Sequence, residues 1–98
     1  MSEHDRKRAI DLLEANHVFP GDYPFSVIAL NADSVTAAVT AAAGSGHPDP
    51  LGPEAHQIRP SSGGKYVSHR LTVRVAGAAE VLDLYAVLRS IEGVITVF

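Results

Sequence analysis

The chain has 98 residues, 46% of them hydrophobic, a net charge of −3 and no cysteine. That length holds one small core and no second domain of its own, and the missing thiol excludes disulfides, thiolate metal sites, iron–sulfur clusters and cysteine nucleophiles. The acidic balance argues against a protein held to nucleic acid mainly by electrostatics.

The longest apolar run, around Ala41-Ala42-Ala43, ends at Gly44, far short of the ~20 residues that span a bilayer. No membrane association is expected. The N-terminus, Ser2-Glu3-His4-Asp5-Arg6-Lys7-Arg8, is polar and of mixed charge with no apolar stretch behind it, so no signal peptide is expected. Small secreted domains are often stapled by disulfides, and without cysteine the cytoplasm is the expected location.

Residues 1–18 read as an N-terminal helix and its lead-in, and residues 19–98 as a single domain. Ser2 followed by Asp5 has capping-box spacing, and Glu3 and Asp5 suit the positive end of a helix dipole. Ala9, Ile10, Leu12 and Leu13 form an apolar stripe, and Asn16 marks a stop. His17 to Pro24 reads as an extended lead-in with a turn at Gly21-Asp22. Pro24 can begin a strand but not sit inside a central one, so the first strand is predicted over Phe25–Leu30. Asn31-Ala32-Asp33-Ser34 supplies the cap of an alanine-rich helix over Val35–Ala43, which Gly44 ends. Residues 44–53 are a loop by composition, and Glu54–Arg59 is a short, weakly apolar edge strand.

Pro60-Ser61-Ser62-Gly63-Gly64 then turns into the clearest strand, Lys65–Ala76. Val67, His69, Leu71, Val73 and Val75 share one face, while Tyr66, Ser68, Arg70, Thr72 and Arg74 share the other. A slip of one residue would bury two arginines, which fixes the register. Gly77 opens a helix whose stripe is Val81, Leu84, Tyr85, Leu88 and Ile91. Gly93 ends it, and Val94–Phe98 forms a final strand.

After the first helix the order is β-α-β, β-α-β. Two split units of this kind give an α+β ferredoxin-like sandwich: a four-stranded antiparallel sheet with two helices on one face, in spatial order 4-1-3-2. The first and last strands are apolar on both sides, so the face away from the helices needs a cover. The N-terminal helix and a second copy of the chain are both expected to contribute.

No motif announces a reaction. Ser61-Ser62-Gly63-Gly64-Lys65 has the look of a phosphate-binding loop, but a Walker loop needs glycine where Arg59 stands and must open a helix, whereas this one opens a strand. It reads as a hairpin turn with serine hydroxyls bonded to backbone and a glycine at positive φ. Arg59 and Lys65 leave an anion-binding option beside it. His4, His17, His47, His56 and His69 show no metal-ligand spacing, and His69 reads as a satisfied core histidine, so neither metal nor cofactor is expected. Ser61 or Ser62 with His56 or His69 lacks an orienting carboxylate, which leaves no catalytic constellation. The polar face of the long strand offers Tyr66 alone among Ser68, Arg70, Thr72 and Arg74, a poor stacking platform for RNA.

Pro60-Ser61-Ser62-x-Gly64-x-Tyr66-x-Ser68, with Phe19-Pro20 and Pro24-Phe25-Ser26-Val27-Ile28 upstream, resembles the signature of the small bacterial YbeD-like family, DUF493. The resemblance covers Phe19 to Phe98 and implies a ferredoxin-like fold similar to the ACT regulatory domains, which bind small effectors and pair through their sheets. It implies no established activity. Gly63 stands where the family tends to have lysine, the loop from Gly44 to Pro53 is longer than the family's, and the N-terminal helix is an addition.

The expectation is therefore a non-enzymatic regulatory or interaction module, dimeric through its sheet or N-terminal helix. A small effector or protein partner is expected at Arg59, Ser61, Ser62, Lys65, Tyr66, Ser68 and Arg70. Weak RNA binding through Tyr66, Arg70 and Arg74, and a phosphate-handling hydrolase at Arg59 and Lys65, are the alternatives.

Overall fold

The computed structural model describes residues 2–44 and 55–98. Its elements are α1 (Glu3–Asn16), β1 (Gly21–Leu30), α2 (Asp33–Gly44), β2 (His56–Pro60), β3 (Tyr66–Val75), α3 (Ala78–Ser90) and β4 (Val94–Val97). The strands form one sheet in the order β2-β3-β1-β4, with every neighbouring pair antiparallel. This is the ferredoxin-like arrangement with an added N-terminal helix. The loop predicted over 44–53 and the start of the edge strand at Glu54 lie outside the described residues, save Gly44, which ends α2.

The two long central strands set the sandwich. Along β3 the side chains of Val67, His69, Leu71, Val73 and Val75 are buried, and the alternate positions are not. Along β1 the buried set is Tyr23, Phe25, Val27 and Ala29. Val27 lies opposite His69 and Phe25 opposite Leu71, so both sets face the same side. There α2 contributes Val35, Val39 and Ala43, and α3 contributes Val81 and Leu88. Alanine-rich α2 brings little bulk, and its valines at i and i+4 lie against the sheet.

β1 begins four residues earlier than the sequence predicts, and the expected turn at Gly21-Asp22 is strand. Pro24 consequently sits inside a central strand, opposite Thr72 of β3. Ser26 and Leu30 direct their N–H groups to Phe98 and Gly93 on the β4 side. Alternate residues point the same way, so Pro24's nitrogen faces that side too, beyond the last pairing at Phe98, where no ladder bond is lost.

α1 does not cover the sheet. Ser2 Oγ accepts the Asp5 N–H at 3.1 Å, which gives the predicted cap. The helix then runs beside α3, tied by Arg6 to Asp83 at 3.0 Å. No α1 residue is fully buried. Leu13 packs against the core, but Leu12, placed in the predicted stripe, is 63% exposed. The helix thus lies on the already covered side. Among the described residues nothing covers the opposite face.

Candidate functional site

The turn between β2 and β3 is built from its own backbone. Gly64 N–H donates to Ser61 O at 2.9 Å, and Ser61 N–H donates to Tyr66 O at 2.8 Å. Tyr66 N–H donates to Ser61 Oγ at 3.3 Å. Gly64 takes φ +73°, a conformation that favours glycine. Asn31, expected as a helix cap, instead donates from Nδ2 to Gly64 O at 2.8 Å and pins the end of β1 to the turn. The motif is a hairpin turn, as the sequence suggested, and its serine hydroxyl serves the fold.

The uncovered face of the sheet carries the unusual chemistry. Strand register places Gln57 opposite Arg70 and Arg59 opposite Ser68 across β2 and β3. On β1 the neighbours are Asp22 opposite Arg74, Ser26 opposite Arg70, Ile28 opposite Ser68 and Leu30 opposite Tyr66. Phe98 pairs with Ser26 at the outer side. The face is therefore divided. Its β2–β3 half is basic and polar, and its β1–β4 half presents Ile28, Leu30 and Phe98. Lys65 stands over the Tyr66 ring at 5.4 Å from its centroid, a cation–π contact. In a chain with eight Lys and Arg against eleven Asp and Glu, Asp22 is the one carboxylate on this face among the described residues.

A cleft lined by Gln57, Ile58, Arg59, Ser68 and Arg70 opens between β2 and β3. Of the residues expected to bind a ligand, Arg59, Ser68 and Arg70 come together here. Lys65 and Tyr66 form a neighbouring pair, Ser61 is spent on the turn, and Ser62 is exposed in it. Gln57 was missed, because only the register of β2 against β3 reveals that it faces Arg70.

On the opposite side of the same hairpin lies an arrangement the sequence reading did not find. His69 is fully buried, and its Nδ1 is 2.9 Å from His56 Nε2. His56 Nδ1 is 3.4 Å from Thr40 Oγ1, which itself donates to Thr36 O at 2.8 Å. Since the Thr40 hydroxyl proton is committed to Thr36, Thr40 accepts from His56 Nδ1–H. His56 Nε2 must then accept from His69 Nδ1–H, which assigns both tautomers by the hydrogen-bond network. Among the described residues His69 Nε2 is left as a buried acceptor with no partner. Among those residues His69 is thus a core histidine with one nitrogen unsatisfied, where the sequence led to a satisfied one. Burial lowers the pKa of both rings, and in His69 the neighbouring His56 lowers it further. Among the described residues no group of three metal-ligating side chains forms.

A ferredoxin-like α+β sandwich with one face of its sheet open and a signature turn at Pro60–Ser68 defines a class of small, single-core domains. Within that class the chain belongs to the DUF493 family, whose description is a protein of unknown function and which matches residues 14–98. The match takes in the whole βαββαβ unit and leaves out most of α1, as the resemblance at the turn implied. Comparison with curated proteins gives no match.

Proposed function

We propose that this protein is a non-enzymatic regulatory or interaction module, ACT-like in use as in fold, that works in the cytoplasm through the open face of its sheet. The observation that carries the reading is the concentration of Arg59, Lys65, Arg70 and Arg74 around an uncovered sheet face of a chain whose net charge is −3. Such a field favours an anionic effector or an acidic partner over a basic one.

Two features support binding over catalysis. The register turns His56 and His69 to the helix side, away from Ser68, and Ser61 Oγ accepts a backbone N–H. Stacking of RNA bases gains little support, because Lys65 already occupies one side of the Tyr66 ring, the one aromatic on the basic half of the face.

The test is capture from a native extract with the wild-type chain and with the triple variant Arg59→Glu/Arg70→Glu/Arg74→Glu, identifying bound metabolites and proteins together. A binder held by the wild type and lost by the variant is the expected result. Identical retention by both overturns the reading.

A dimer through the same face is a second reading, favoured by Ile28, Leu30 and Phe98 on its β1–β4 half; Leu30 is 38% and Phe98 63% exposed. Light scattering at high concentration decides it, and a clean monomer would end it.

A further inference from the structure

Within that reading, on which this step rests, we infer that the cleft between β2 and β3 on the open face is a binding site for a doubly charged oxyanion, with a phosphate group as its simplest form. Arg59 lies opposite Ser68 and Arg70 lies opposite Gln57, so the two arginines are diagonal neighbours on one face. Diagonal neighbours on a sheet sit about 7–8 Å apart at the backbone, within reach for long side chains. Two guanidiniums so placed repel each other unless an anion lies between them.

The protein provides no such anion among its described residues. The only ion pair there joins Arg6 to Asp83. Arg70 has Ser26 on one side and Gln57 on the other, and Arg59 has Ser68, so no carboxylate occupies a directly opposed position. Arg74 differs, because it faces Asp22. Arg59 and Arg70, the two arginines that line the cleft, thus have no carboxylate opposite them among the described residues.

The neutral groups of the cleft suit the same ligand. Ser68 brings a hydroxyl and Gln57 a primary amide, both able to donate to oxygen. Guanidinium forks bind phosphate or carboxylate through two parallel hydrogen bonds each. Two arginines match two negative charges, which a phosphate group carries and a single carboxylate does not. The turn that resembles a phosphate loop contributes little, since Ser61 Oγ accepts from Tyr66 N–H and Lys65 is drawn over the Tyr66 ring. Histidine charge does not intrude: His69 separates Ser68 from Arg70 in sequence, but its ring is buried on the far side of the sheet.

The experiment is an amide-detected NMR titration of the full chain with inorganic phosphate, with sodium chloride of matched ionic strength and sodium acetate as the comparison arms. Saturable shifts at Gln57, Arg59, Ser68 and Arg70 with phosphate, absent with chloride and weaker with acetate, are expected. Arg70→Ala and Arg59→Ala each weaken phosphate binding about tenfold or more, the loss of a charge-assisted contact, whereas Arg8→Ala on exposed α1 leaves it unchanged. Arg70→Lys keeps the charge but not the fork and recovers part of the affinity. Shifts that follow ionic strength alone, saturation centred elsewhere, or equal binding by acetate overturn the inference. Its failure is distinct from failure of the wider reading. A captured partner lost by the triple variant survives a cleft that ignores phosphate, and phosphate binding survives the absence of any captured partner.

Discussion

His56 Nε2 and His69 Nδ1 meet at 2.9 Å across the β2–β3 hairpin, beneath α2. The chain of donors that ends at Thr36 O leaves no position for an extra proton. A proton on His56 Nε2 would face the N–H of His69, and one on His69 Nε2 would create a buried cation with no acceptor among the described residues. Both rings are held neutral for reasons visible in the hydrogen bonds, and burial acts in the same direction.

A pH dependence follows. An unfolded histidine takes up its proton near pH 6.5, while the folded rings, with lowered pKa, resist it. Between the folded and unfolded values the unfolded state binds more protons, so stability rises with pH in that window and falls on acidification below about 6.5. Urea unfolding at pH 7.5 and at pH 5.0 should show the lower stability at pH 5.0. His69→Leu, which removes the buried ring and leaves half-buried His56 to solvent, should flatten the difference. An undiminished slope in that variant would place its origin elsewhere. At pH 7.5, His56→Ala strands the buried His69 N–H and should cost about 1–3 kcal/mol.

The sheet was largely legible in the sequence because β3 alternates over ten residues, and a slip of one residue buries arginine. The helix stripe of α3 was legible for a similar reason, with Val81 and Leu88 buried and Leu84, Tyr85 and Ile91 packed on the core. What stayed hidden depends on pairings between segments. His56 and Gln57 acquire meaning only from the β2–β3 register, which brings one beneath the sheet to His69 and the other above it to Arg70. Pro24 misled because its rule concerns hydrogen-bond direction, and that direction depends on where β4 stops. Leu12 belongs to an apolar stripe by spacing, yet a helix with a single neighbouring helix buries only one narrow line.

Gly93 is where backbone and packing demand the same residue. Its φ is +95°, and a Cβ there would lie 2.6 Å from Val35 Cγ2. Its carbonyl also accepts Leu30 N–H at 2.9 Å, tying α3's end to β1. Gly93→Ala should lose about 2–3 kcal/mol, from left-handed strain of roughly 1–2 kcal/mol and the added crowding. Combining it with Val35→Ala relieves the crowding but not the strain, so the double variant should lose less than the two single costs added. Strict additivity in urea melts would argue that the contact is unimportant.

Tyr85 offers a second, opposite titration. Its hydroxyl lies 3.3 Å from that of Tyr23, and its ring packs edge-on against Phe25 at 4.9 Å. Burial, and then the bond with Tyr23, push its phenol well above the ordinary value. An unfolded tyrosine ionises near pH 10, so above that pH the unfolded state loses a proton the folded state keeps, and stability falls as pH rises. Tyr85→Phe should cost about 1 kcal/mol at neutral pH and reduce the alkaline loss. Ultraviolet titration of phenolate should show a late-ionising phenol in the wild type that is missing from Tyr85→Phe. Three phenols titrating together would refute the assignment.

α1 is bound loosely enough to be removed. It buries no residue fully, its ion pair to Asp83 is solvent-exposed, and the family match begins only at residue 14. Exposed ion pairs contribute about 0–1 kcal/mol, so Asp83→Ala should leave stability within that range. Leu13 is the exception, since it packs against the core, and Leu13→Ala should cost more than Asp83→Ala. A chain starting at Leu12 keeps Leu13, His17 and the ring contact of His17 with Tyr23 at 4.9 Å. It should still unfold cooperatively, with a modestly lower denaturation midpoint and the same pH dependence from His56 and His69. Loss of cooperative unfolding would mean that α1 completes the core and is not an accessory to it.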